Sequence, residues 1–561
     1  MEKRVIIAIA LCIGIMMAWT KIFPPSSSTT SAPATLPAQA GTPSAAAPGS
    51  PSAGAPAAAS PIPVGGNPAV PSPAGAGPGR RPEQQIVLSS PDERFVLSSL
   101  GGTLVHAQLL GEKFLDKPGD KSSGHDVVRT TDPKDAPLRT TFLEASFPAP
   151  DDAAWDVSQP APDQVVFATD SGPVHIEKRY HLDPTRFRLH LDVVVANRGE
   201  TPIKQRLAIS VPGKQDPDKR GGGIFSGPTS SIAEVLCHVN AKVERKPIDD
   251  LAKEGFDKGG KINWVAADEK FFALAVVPYP ETPAADRTCQ AKALAGEAAG
   301  QVTVSFAERT VPPQATVSYP FAVFAGPKFI EDLKQVRPGG VDVELEHSID
   351  VTFAPLSGPI LGLLKIFHGF AHNWGLAIVL LTIFIKLVTF YPTQKSLLSA
   401  KKMQRLAPKM NAIRKKYEND RQRQSVETMN LYKAHGVSPF GGCLPSLIQM
   451  PIWIALYSTL NYAVELYRAP FFGHIHDLTG KDPYYITPLV MGGVMFLQMK
   501  MSPAGADPQQ QAMMSIMMPI MFTGFSLFLP SGLAVYMLTS YLIGILQQLY
   551  VNHLDRKGAI N

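Results

Sequence analysis

Residues 374–391 read WGLAIVLLTIFIKLVTFY. Apart from Lys386 and two threonines the run is apolar, and its length is close to the roughly 17–25 residues that a membrane-spanning helix needs. Four further apolar runs follow, at 443–466, 484–499, 512–529 and 533–551. A buried helix of a soluble domain can mimic one such run, but five in succession do not form a soluble core. The runs at 484–499 and 512–529 are short, which points to a thin bilayer or to tilted neighbours. A sixth run, 5–19, follows the opening Met-Glu-Lys-Arg. A cleaved signal peptide is one reading of it. Met16, Met17, Trp19 and Lys21 stand where small residues would mark cleavage, which favours an uncleaved signal-anchor helix over 1–23.

Charge orients these spans. Between Pro392 and Gly441 there are eleven Lys and Arg against Glu418, Asp420 and Glu427, so the segment carries 11 − 3 = +8. The positive-inside rule puts it in the cytoplasm. In the 466–483 loop Arg468 and Lys481 balance Asp477 and Asp482, so that loop can lie outside. Lys3 and Arg4 at one end and Arg556 and Lys557 at the other return both termini to the cytoplasm. The expectation is six transmembrane helices.

The chain has 561 residues, enough for several domains, and its formal charge of +5 does not by itself suggest a nucleic-acid partner. Much of its proline lies in one stretch, 24–82, which is Pro, Ala, Ser and Gly with almost no charge. Such a segment cannot bury enough apolar surface to fold and reads as a disordered tether. From 83 to 350 the pattern has period two. Phe187, Leu189, Leu191, Val193 and Val195 alternate with Arg188, His190 and Asp192; Leu207, Ile209 and Val211, and then Val302, Val304 and Phe306, repeat the alternation. These are half-buried strands of an all-β sandwich on the outer side of the membrane. Residues 328–336 read as a short closing helix. Cys237 and Cys289 share the oxidising side, where a disulfide and a pair of buried thiols are both consistent with the sequence. Residues 351–372, with Leu361, Leu364, Phe367 and Phe370 beside Lys365 and His368, read as an amphipathic interfacial helix or as an extension of the next span.

Lys386 is the sole cation within the five C-terminal spans, and Glu465 at the end of the 443–466 run is their one acid. An intramembrane cation is costly and marks a functional position by default, although a lysine stem can also snorkel to nearby headgroups. Thr382 and Thr389, at i−4 and i+3, share its helix face and predict a polar stripe. Gln449, Gln498, Tyr536 and Ser540 are polar candidates on other spans; each alone is also common helix–helix glue. Nine methionines between 491 and 521 suit a surface that accepts many apolar partners, or simply fill gaps. The segment 395–435 reads as a helical hairpin whose basic face, with Arg414, Lys415 and Lys416, can meet ribosomal RNA or anionic lipid, or only set topology. No GxxxxGK[ST], HExxH or GxSxG motif is present, so neither an enzyme nor a cofactor is implied. The cluster His474-Ile475-His476-Asp477 has metal-like residue types but no further ligand, and no metal site is assigned.

Several segments together resemble the YidC insertase family, in its long form with a periplasmic domain. They are Gly441-Gly442-Cys443-Leu444-Pro445 and Leu447-Ile448-Gln449-Met450-Pro451-Ile452, then Ala469-Pro470-Phe471, Asp482-Pro483-Tyr484-Tyr485-Ile486, Lys500-Met501-Ser502-Pro503 and Leu529-Pro530-Ser531-Gly532-Leu533. The match is strong over about 355–558. It implies a five-helix core, 373–561, around a hydrophilic groove open to cytoplasm and lipid. It also implies insertion of nascent membrane proteins into the bacterial inner membrane, alone or beside the SecYEG translocon, without ATP. Family members usually carry Arg where Lys386 stands; Lys keeps the charge and loses the bidentate fork. Many also have two tyrosines early in the last span, where this chain has Tyr536-Met537. A nascent helix would enter between the second, third and fifth spans, its polar outer segment held near Lys386. Two rivals are a secondary transporter of a small anion, against which no inverted repeat is visible, and a purely structural assembly chaperone.

Overall fold

The computed structural model describes residues 82–561, apart from 118, 131, 151–152, 217–231, 281–285, 296–297, 350–353, 437–443, 502–512 and 557–561. The expected signal anchor, nearly all of the tether and the end of the C-terminal tail lie outside the described residues. The described residues belong to one compact unit that holds both the β domain and the helices.

Among the described residues the outer domain contains three sheets. The largest runs in the order Lys242–Pro247, Glu234–Val239, Ile262–Asp268, Phe272–Pro278, Thr316–Pro327, Arg188–Asn197, Val174–Leu182, Gln164–Ser171 and Asp156–Ala161. A second sheet is built on Ile203–Lys214, which pairs with Ala299–Ser305, Arg309–Val311 and Arg139–Leu143. A four-stranded sheet opens the domain, from Gln85–Ser89 to His125–Asp126.

The two larger sheets face each other across one core. Leu189, Leu191, Val193 and Val195 from the first meet Leu207, Ile209, Val211, Val302 and Val304 from the second, all of them buried. The period-two reading therefore predicts the inward faces correctly. Phe187 is the exception. It precedes its expected strand with φ 65° and packs in a separate aromatic cluster with Phe272 and Phe324. A left-handed residue at the strand's mouth rotates the side chain off the alternation, which period counting does not register.

Buried polar groups tie the small sheet to the large one. Lys178 donates to the carbonyls of Gly101, Gly102 and Leu138 at 2.8, 3.1 and 2.8 Å, and the Tyr180 hydroxyl donates to Gly102 at 2.6 Å. Gly101 and Gly102 have φ 67° and 55°, the left-handed turn that glycine adopts without a Cβ clash. Cys237 and Cys289, both buried, are joined by a disulfide across 6.6 Å between Cα atoms. The closing helix is Ile330–Lys334, shorter than the expected 328–336.

The helical part begins with α1 (Ala354–Ala371) and α2 (Trp374–Val388). They are separate helices: His372 has φ 52°, and the Asn373 side chain caps α2 by accepting from the Leu376 amide at 2.9 Å. α1 and α2 therefore do not run on as one continuous helix. At Thr389 the chain bends by 63° into α3 (Phe390–Lys416). Pro392 sits in the first turn of α3, where a missing N–H costs nothing. α4 (Arg421–Ala434) folds back on α3 through Leu406, Met410 and Tyr432. The expected hairpin is present, but its first helix starts directly at the end of α2.

Then come α5 (Leu444–Tyr462), α6 (Ile486–Met501), α7 (Met518–Ser526) and α8 (Ser531–Arg556). Among the described residues only α8 is by itself long and apolar enough to cross a membrane, and the bent pair α2–α3 passes the same test as one unit. The expected count of six spans is therefore not confirmed: the first expected span lies outside the described residues, and shorter apolar helices occupy the places of most of the others. Breaks at Thr389, Ala463 and Leu527 shorten the individual helices.

Candidate functional site

The helices pack through contacts that glycine permits. A Cβ on Gly492 of α6 would collide with Thr523 of α7, and one on Gly544 of α8 with the amide of Gln498. These approaches bring α6, α7 and α8 together, as small residues do between membrane helices. At the far end, Arg405 pairs with Asp555 at 2.5 Å and Lys401 with Asp555 at 3.7 Å, which ties α3 to the end of α8.

Within this frame the residues expected to line a groove separate into four groups. Gln449 of α5 donates to the Tyr536 hydroxyl of α8 at 2.8 Å, and Ser540, one turn on, is also hydrogen-bonded to Tyr536. The structure therefore joins three of the candidates into a polar seam between α5 and α8. Thr382 and Thr389 are buried, and their hydroxyls donate to their own helix, to Ile378 and Ile385 at 2.7 and 2.8 Å. Back-bonding of this kind satisfies the hydroxyl locally, so the expected open polar stripe beside Lys386 is not formed by these two threonines. Gln498 packs on Gly544 as helix–helix contact.

Lys386 stands apart. It is half-buried on α2 and has no hydrogen bond or ion pair with any described residue. Its neighbours Leu387 and Val388 are 67% and 65% exposed. Leu489 and Leu497 on α6, Ile520 and Met521 on α7, and Leu546 and Leu549 on α8 are likewise exposed. Apolar side chains exposed on these four helices exceed what a water-soluble monomer presents, and they are the surface that lipid covers.

The methionines divide. Met491 and Met495 are buried and fill gaps, whereas Met517 and Met521 point outward. On the hairpin, Lys415 and Lys416 are exposed, and Lys416 lies over the Tyr417 ring at 5.4 Å. Arg414 is half-buried. His474 sits 3.0 Å from Asp482, and Asp477 accepts from Thr479 at 2.8 Å, so the 474–477 cluster is engaged in local turn contacts.

Sequence reading missed the docking of the loop after α5 into the β domain. Val464 and Tyr467 join the aromatic cluster of Phe114, Phe271 and Phe272. Lys113 donates to the Val464 carbonyl at 3.1 Å, and Arg468 holds the Leu115 carbonyl and the Asp116 carboxylate, both at 2.7 Å. Burial lowers the Lys113 ammonium to about 8. No local signal encodes these contacts, because the partners lie far apart in the chain. A cavity of about 560 Å³ opens beside this junction, lined by Arg245, Lys328, Ser357, Ser458 and Glu465. None of the expected groove residues borders it.

Fold and site together define a helical membrane protein with a β-rich domain outside the membrane and a cation on an apolar helix that has no partner among the described residues. Residues 85–360 match the model of the YidC periplasmic domain, and residues 366–557 match that of the 60Kd inner membrane protein. The chain is 33% identical over 504 residues to the membrane protein insertase YidC of Syntrophus aciditrophicus (strain SB), covering 87% of this chain and 89% of that one. It is 33% identical over 558 residues to the namesake protein of Anaeromyxobacter dehalogenans (strain 2CP-C), covering 98% and 96%. A crystal structure of an active YidC insertase with its first transmembrane domain resolved is 18% identical, over 82% of this chain and 92% of that one, with a TM-score of 0.35. The chain belongs to the YidC family of membrane protein insertases. The small-anion transporter reading has no support among these relatives.

Proposed function

We propose that this chain inserts nascent membrane proteins into the inner membrane by solvating their polar segments, without covalent chemistry. The observation that carries the reading is Lys386, a cation in an apolar helix with no partner among the described residues. A charge kept in an apolar span is costly, and this one is available to a transient anionic or polar partner. The hydrogen-bonded Gln449, Tyr536 and Ser540 offer donors and acceptors to a backbone crossing the leaflet, and the exposed apolar faces of α6, α7 and α8 give its hydrophobic residues an exit into lipid. The experiment is insertion of a short single-span client into liposomes that contain the purified chain. Insertion no faster than into empty liposomes overturns the reading.

The orientation that goes with this function has six spans, both termini and the 395–435 hairpin in the cytoplasm, and the β domain in the periplasm. Two features support it: the +8 charge of the hairpin segment, and the docking of the loop after α5 on the β domain, at the helix ends opposite the hairpin. A cysteine replacing Asn419 should react with membrane-impermeant maleimide only after the cells are opened. Labelling in intact spheroplasts would reverse the assignment.

The same reading makes the basic hairpin a contact for a ribosome or its targeting factor, and for anionic lipid; the SecYEG translocon is a further partner of the family type. Replacing Arg414, Lys415 and Lys416 together by Gln should weaken ribosome co-sedimentation and flatten its salt dependence, since fewer phosphates are neutralised. An unchanged salt slope would leave the hairpin a topology signal alone.

A further inference from the structure

We propose that the β domain carries a binding site for a divalent transition-metal ion of the zinc type, formed by His238, Glu344 and His347. The three residues converge from two elements. His238 is on the strand Glu234–Val239, Glu344 immediately precedes the short 3-10 helix Leu345–Ser348, and His347 lies within that helix. One donor atom from each residue falls within 4.8 Å of the other two. His238 Nε2 is 3.5 Å from Glu344 Oε2, and His347 Nδ1 is 3.7 Å from the same oxygen. Bonds of ~2.0–2.1 Å to a tetrahedral ion put donor atoms roughly 3.3 Å apart. The observed separations are close to that spacing and too long for hydrogen bonds.

An independent observation points to a ligand. His238 is 0% exposed, yet neither of its ring nitrogens has a hydrogen-bond partner. Buried polar atoms are nearly always satisfied, and a ring nitrogen facing a carboxylate and a second imidazole at these distances is satisfied by a metal ion. The imidazole is held in place by stacking on Trp264, with centroids 5.4 Å apart and planes 10° from parallel. The Trp264 indole is itself fixed by donation to the Val343 carbonyl at 3.0 Å, next to Glu344. Glu344 has φ 57°, a backbone conformation uncommon for a residue with a side chain, which aims its carboxylate back at the strand. The side chains of His347 and Glu344 are 55% and 46% exposed, so an ion can reach the site from solvent.

A two-histidine, one-carboxylate set leaves a fourth position for water, and its borderline nitrogen donors suit zinc over calcium or magnesium. The site would clamp the last segment before α1 onto the sandwich, where Arg245 already holds the His347 and Ser348 carbonyls at 2.9 Å each.

The test uses the full chain, untagged, in detergent and stripped with chelator, dialysed against Zn²⁺ and assayed for bound metal. One Zn²⁺ per chain is expected, with at least a tenfold loss of affinity in His347→Ala and in Glu344→Gln. Both substitutions are at accessible positions and should leave the fold intact, which circular dichroism verifies. Co²⁺ in place of Zn²⁺ should give the visible absorption of a tetrahedral site in the parent chain and not in His347→Ala. Uptake well below one ion per chain, or equal uptake by the parent and both variants, overturns the proposal.

Discussion

Replacing Lys386 by Glu is expected to lower client insertion at least tenfold, whereas Lys386→Arg should keep most of it. At an effective dielectric of about 20, two unit charges ~4 Å apart interact by about 4 kcal/mol. Losing even a third of that attraction for a client's acidic or polar segment corresponds to a factor of about 10. Reversing the charge adds repulsion. Arg retains the charge and supplies more donors on a similar stem, and no geometry at Lys386 depends on a point-like ammonium, since it has no partner among the described residues. Clients with acidic or strongly polar outer segments should suffer most, and clients with short apolar ones least. The measurement is client insertion in cells depleted of the native insertase and complemented by each variant, with variant levels equalised by immunoblot. If Lys386→Glu supports every client at full rate, the lysine is a snorkelling residue whose charge serves only the headgroup region.

Stability of the β domain should fall as pH rises from about 4.5 to 8, and Glu93→Gln should remove most of that slope. Glu93 is 1% exposed at the start of the strand Glu93–Ser98. Burial pushes its carboxyl up to about 8; the Phe187 amide opposes the shift and the Asp92 carboxylate adds to it. The folded state therefore holds the proton more tightly than the unfolded chain. The stability this contributes is complete below the unfolded value near 4.5 and is lost as pH rises through the folded value near 8. At about 1.36 kcal/mol per unit, the penalty at pH 8 is of order 4 kcal/mol, which is large against the 5–15 kcal/mol of a typical domain. Glutamine keeps the shape and stays neutral, so Glu93→Gln should melt several degrees higher at pH 8 and nearly match the parent at pH 5. Thermal unfolding of both proteins in detergent from pH 5 to 9 decides the matter. Parallel curves across the range would mean that water reaches the carboxylate and relieves its burial.

Much of the architecture follows from periodicity and charge, which are local quantities. Alternation at Leu189–Val195 and 207–211 assigns the inward faces of the sandwich, because successive side chains of a strand point to opposite sides. Continuous apolar runs mark the helices, and the eleven basic residues between 392 and 441 mark the hairpin. The specific seam residues were legible only as candidates. Polar residues on several spans are equally plausible, and which of them pair depends on how the helices rotate and approach. Only the tertiary structure selects Gln449, Tyr536 and Ser540 as a bonded set, returns the Thr382 and Thr389 hydroxyls to their own helix, and leaves Lys386 without a partner among the described residues.

By itself, then, the sequence determined the order of parts: an apolar helical core with one cation, a basic hairpin, and a β domain of alternating strands. Each of these is set by side chains within a few residues of one another. The tertiary structure alone decided the docking of Tyr467 and Arg468 on the β domain, the rotation of Phe187 out of its strand, the joining of Cys237 to Cys289, and the convergence of His238 on Glu344 and His347. Those partners are brought together by sheet register, helix packing and the path of the connecting loops, quantities fixed by the summed burial of the whole chain and written in no single stretch of it.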